Sequence, residues 1–100
     1  MILKATEASI DRLDESFFRV RFDRLTPREK EYLRALADLG VGAHRSGDIA
    51  EKLGAKVQSI APIRNSLIKK GMIYSPTHGD TEFTVPLFDE FIKRVMPVVG

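Results

Sequence analysis

Ser46 to Gly71 reads SGDIAEKLGAKVQSIAPIRNSLIKKG, and this stretch decides the fold. Ser46 reads as the cap of a short helix over 46–54, with Asp48 in its first turn and Gly54 at its close. Ile49, Ala50 and Leu53 face inward. A second helix over 58–70 has to begin close to Gln58, because Pro62 has no amide hydrogen and fits only a first turn. Gly71 ends it. At about 100° per residue, Val57, Ile60, Ile63 and Leu67 mark the buried side of this helix. Gln58, Pro62, Asn65 and Lys69 fall opposite, with Ser59 and Ser66 on one flank.

Downstream, Met72 to Ser75 and Glu82 to Val85 read as two strands joined by the turn-rich loop Pro76 to Thr81, a hairpin over 72–85. Pro86 then opens a last helix over 86–96, lined on one side by Leu87, Phe88, Phe91, Ile92 and Val95. Upstream, Thr26-Pro27-Arg28-Glu29 carries a cap, a first-position proline and a glutamate that can bond back to the cap. The helix so begun, over 27–39, buries Tyr32, Leu33, Leu36 and Ala37 and meets Gly40, with a loop from Val41 to Arg45 after it. Phe18, Val20 and Phe22 alternate with Arg19, Arg21 and Asp23, which predicts a short strand or extended connector. Before it, Ile2, Leu3, Ile10, Leu13 and Phe17 recur at helical spacing.

This order of elements is that of a winged helix-turn-helix: mostly α with a small β-hairpin, and extra N-terminal and C-terminal helices. The division expected is a helix and connector over 1–25 and a winged-helix domain over 26–100.

With 100 residues, 43% hydrophobic and 30% charged, the chain has the balance of one folded domain. It contains no cysteine, which excludes disulfides, a thiolate nucleophile and Cys-ligated metal. No apolar run approaches the roughly 20 residues of a membrane span, so no membrane partner and a cytoplasmic location are expected. The net charge of +2 is unevenly spread: residues 1–40 sum to 0, 41–71 to +4 and 72–100 to −2. Lys56, Arg64, Lys69 and Lys70 meet no acid between positions 56 and 71, and that asymmetry points to a polyanionic partner.

Amide and hydroxyl groups at a helix start, with a lysine further along, suit a helix that approaches base edges and then reaches a phosphate. The candidate DNA-binding residues are therefore Lys56, Gln58, Ser59, Asn65 and Lys69, with Arg45 and Ser46 before the helix and Thr77 and His78 on the wing. Gln58 or Asn65 can pair with an adenine edge. Arg64 rotates toward the buried stripe, and its expected partner is Asp48 or Glu51 rather than DNA.

Catalytic patterns are not legible. Gly42 to Gly47 has the glycine spacing of a phosphate-binding loop, but Asp48 and Ile49 occupy the places of the required Lys and Ser or Thr. His44 and His78 have no ligand-spaced companions, so no metal or cofactor is expected. The carboxylates are scattered and expected to pair with basic neighbours, as Glu31 with Arg28 or Arg34.

Three stretches resemble the C-terminal winged-helix region of a family of archaeal-type P-loop ATPases of the broader AAA class. They are LDESFFRVRFDRLTPREKEYLRAL at Leu13 to Leu36, HRSGDIAEKLG at His44 to Gly54, and IRNSLIKKGMIYSPTHGDTEFTVPLF at Ile63 to Phe88. The resemblance implies a non-catalytic piece of a longer protein whose ATPase core precedes Met1, with Phe17 to Phe22 as the connection to it. No Walker motif is present, so ATP hydrolysis does not carry over. In related origin-recognition-type ATPases such a domain grips duplex DNA, and in other branches it is an interaction arm. The alternatives are thus a regulatory or protein-interaction module that docks on the ATPase core or self-associates as a homodimer through its terminal helices, and a stand-alone transcription regulator.

Overall fold

The computed structural model describes residues 16–97. Among them the chain is mostly helical, with five helices and a small three-stranded antiparallel sheet. In chain order the elements are α1 (16–23), α2 (Pro27–Asp38), β1 (His44–Arg45), α3 (Ser46–Leu53), α4 (Val57–Lys69), β2 (Ile73–Tyr74), β3 (Asp80–Phe83) and α5 (Phe88–Val95). The amphipathic helix expected over the first fifteen or so residues lies outside the described residues.

Local chemistry accounts for most boundaries. At the start of α2 the Glu29 amide donates to Thr26 Oγ1 at 3.2 Å, and the Thr26 amide donates to Glu29 Oε1 at 2.9 Å. Both otherwise orphaned donors are satisfied. At the end of α4, Gly71 takes φ +75°, and the Met72 amide then closes back onto the Leu67 carbonyl at 3.0 Å.

Four boundaries differ from the sequence expectation. α4 starts at Val57, so Pro62 lies beyond the first turn; it faces solvent and has no amide to offer the Gln58 carbonyl. α5 starts at Phe88 instead of Pro86, because Leu87 sits at φ +66°, outside the helical region. The loop expected over Val41 to Arg45 ends in a strand: His44 pairs with Thr81 and Arg45 with Asp80, which puts β3 in the middle of the order β1-β3-β2. That pairing draws the start of β3 back to Asp80 and shortens the β2–β3 loop. Ser46, expected as the cap of α3, is its first helical residue; the cap position belongs to Arg45, held extended by the strand and making no side-chain cap bond.

A fifth difference concerns α1. Phe18 to Phe22, expected extended, is helical, because Phe18, Phe22 and Leu25 also share a helical face at spacings of four and three. All three are buried while Val20 is half exposed. Phe18 stacks edge-on to Phe88 at 5.8 Å between ring centroids and lies 5.3 Å from Phe91, and Phe22 meets Phe91 at 5.9 Å. Each such ring contributes about 1.5–3 kcal/mol through burial. Residues 18–25 are therefore built into the same core as Tyr32, Leu33, Leu36, Ile49, Ile60 and Leu67, with no break in packing at position 26.

Arg34 of α2 is buried as well, and its partner is not Glu31. Its guanidinium donates to the Met96 carbonyl, to the Pro97 carbonyl at 3.1 Å and to Asp38 at 3.4 Å, which fastens the exit of α5 to α2. No helix among the described residues is long and apolar enough to cross a membrane.

Candidate nucleic-acid interface

Burying Ile60 and Leu67 against the core turns the opposite side of α4 outward. Gln58, Ser59, Asn65 and Lys69 are all exposed there, as is Lys56 at the cap position. Gln58, Asn65 and Lys69 form one ridge along the helix, and Ser59 lies on its flank.

The remaining candidates gather around the tip of the β2–β3 loop. Thr77 and His78 are exposed in that loop, and Gly79 beside them takes φ +84°, a conformation that lets the chain turn back into β3. Pairing of Arg45 with Asp80 brings β1 alongside. The Ser46 amide and hydroxyl both donate to the Gly79 carbonyl, at 3.1 and 3.4 Å. Arg45, Ser46, Thr77 and His78 thus form a single cluster although more than thirty residues separate its two halves in sequence. Ser46 spends its hydroxyl on that tie, which leaves Arg45 as the exposed cation of the cluster.

Arg64 joins the cluster to the ridge. Its Nε donates to Thr81 Oγ1 at 2.8 Å and its Nη2 to the Asp80 carbonyl at 3.0 Å. The partner expected on α3, Asp48 or Glu51, is not the one it uses. The side chain that follows Arg64 on the exposed ridge, Asn65, therefore stands on a helix bolted to the strand that carries the loop. All nine candidate residues lie on α4, at its cap position or within this bolted assembly.

Charge is sorted across the surface. Asp48, Glu51 and Lys52 line a separate depression with Leu39 on the far side of α3, where Lys52 pairs with Asp38. Lys70 is not a free cation, because Glu29 neutralises it. The sequence reading omits Arg21 and Arg24, which the fold carries to the Lys69 end of α4; the Lys70 ammonium donates to the Arg24 carbonyl at 2.9 Å. Residues 46 positions apart have no local signal of such proximity. Among the described residues no group of three His, Asp or Glu side chains converges as a metal site.

The profile of a family described as a domain of unknown function (DUF8462) matches residues 15–92. No curated protein and no solved structure matches the chain.

Proposed function

The chain belongs to the DUF8462 family, and we propose that it is a winged helix-turn-helix module that binds duplex DNA. In this reading α3 and α4 are the helix-turn-helix, α4 is the helix presented to the major groove, and β2–β3 with its loop is the wing. The observation that carries it is the Arg64 bridge, which holds an exposed ridge of Gln58, Asn65 and Lys69 in fixed register with the loop bearing Thr77 and His78. A helix with amides near its start and cations at its ends fits base edges centrally and phosphates at the rims. Arg45 beside the loop tip supplies a further phosphate contact.

The parent context, a non-catalytic arm of an AAA-type ATPase, rests on the resemblance of the three sequence stretches alone. The rival role, docking to protein through Phe17 to Phe22 and the last helix, has less surface to use. Phe18, Phe22, Phe91 and Ile92 are already buried against one another's elements, which leaves Phe17 and Val20 outward on α1.

Titration of the chain with labelled duplex DNA at several salt concentrations, followed by fluorescence anisotropy, tests the reading. Binding whose log K falls with log salt at a slope of about −3 to −5, for roughly three to five neutralised phosphates, is the expected result. Absence of binding at low salt overturns it in favour of the protein-docking role.

A further inference from the structure

Between α1 and the C-terminal end of α4 lies an open cleft of about 540 Å³. Arg21, Arg24, Lys69 and Lys70 line it over an apolar floor that includes the buried Leu25 and Met72, and no acidic side chain is among the residues lining it. Glu29 neutralises Lys70 from behind and fixes its position. Arg21 is held too: its Nη1 donates to the Phe17 carbonyl at 3.1 Å and its guanidinium lies 3.7 Å from the Phe17 ring centroid. Lysines at a helix end complement the helix dipole, which accounts for Lys69 and Lys70. It does not account for Arg21 of α1 and Arg24 just beyond that helix, which line the same cleft with no acidic side chain among its lining residues.

Length decides which anion. α4 has 13 residues, so Lys69 stands about 16 Å along the axis from Gln58, whereas the major groove is about 12 Å wide. A helix that enters the groove by its start and crosses its width carries its other end over the sugar-phosphate strand, and that end is where the cleft opens. Planar guanidinium forks match phosphate oxygens two at a time, and an apolar floor beneath them strengthens the attraction by excluding water.

We infer that this cleft is a second DNA contact, in which Arg21, Arg24 and Lys69 take backbone phosphates of the same duplex that α4 enters. The inference rests on the duplex-binding reading and extends it to α1, outside the helix-turn-helix.

The test compares the chain with its Arg24→Gln variant and the Arg21→Gln/Arg24→Gln double variant in the salt-dependent duplex titration. Arg24→Gln leaves the backbone carbonyl that anchors Lys70 untouched, so it keeps the test open should the double variant lose its fold by circular dichroism. Each lost phosphate contact is expected to make the slope shallower by about 0.9, which is about eightfold weaker binding at 0.1 M salt. Variants that fold and keep the wild-type slope and affinity overturn the inference while the duplex reading stands. A wild-type chain without salt-dependent binding overturns both.

Discussion

Glu29 of α2 and Lys70 at the end of α4 lie 41 residues apart in the chain and 2.6 Å apart in space. The Glu29 carboxylate is buried, and it also accepts from the Ser66 hydroxyl and the Thr26 amide. Burial alone would push its pKa up; hydrogen bonds from Lys70, Ser66 and Thr26 outweigh that and hold it below the ordinary 4.5. The group therefore binds protons less readily folded than unfolded. Its stabilisation is present above pH 4.5 and is lost as pH falls through the depressed folded value. Glu29→Gln is expected to cost about 2 kcal/mol at neutral pH, the worth of a hydrogen bond to a charged group. Urea unfolding across the acidic range should show the variant losing less stability than wild type below pH 4.5. Parallel acid limbs would remove Glu29 as the cause.

Reversing charge at the two ends of α4, with Lys56→Glu at its cap position and Lys69→Glu at its last residue together, is expected to abolish duplex binding in the anisotropy assay. Both side chains are exposed, so the fold should hold within about 0.5 kcal/mol of wild type. A folded double variant that binds with wild-type affinity would remove α4 from the interface.

Arg64 offers a control of opposite kind. Its head is spent on Thr81 and Asp80, so Arg64→Met removes a cation from the protein without removing a phosphate contact. Stability should fall by about 1–3 kcal/mol, since Thr81 is buried and loses its partner. Duplex affinity should drop as the loop loosens, with the slope of log K against log salt unchanged. A slope shallower by about one unit would instead mark Arg64 as a direct phosphate ligand.

Leu87 holds a left-handed backbone at φ +66° while 59% exposed, so it bears strain and gains little from burial. Asparagine tolerates this conformation far better. Leu87→Asn is expected to raise stability by about 0.5–1 kcal/mol, seen as a rise of a few degrees in Tm. A fall in Tm would show that the leucine side chain contributes packing that outweighs the strain.

The parts of the fold legible in sequence are those written by nearest neighbours. Thr26 and Glu29 cap α2 within one turn, and Gly54 and Gly71 stop α3 and α4 where left-handed residues are needed. Alternation misleads at Phe18 to Phe22 because positions 18, 22 and 25 satisfy a helical face as well as positions 18, 20 and 22 satisfy a strand, and only the rings of Phe88 and Phe91 decide between them. β1 escapes notice because two residues make no pattern; its existence depends on Asp80 and Thr81, far along the chain. That distant partner also displaces Ser46 from the cap position, since Arg45 is claimed by the sheet. The exposed ridge of α4 follows from the 3.6-residue repeat. The destination of Arg64 and the approach of Arg21 and Arg24 to Lys69 do not, being properties of the packed helices.

The sheet has a kinetic meaning too. Ser46 reaches Gly79 across 33 residues, and α3, α4 and β2 all lie within that span. Closing so long a loop before its contents are ordered costs more conformational entropy than the two short pairings of β1 return. The helices are therefore expected to condense first, with β1 sealing onto β3 after α4 has brought Arg64 to Asp80 and Thr81. In this order of events the loop bearing Thr77 and His78 is expected to be the last of the described elements to acquire its shape and the first to give it up.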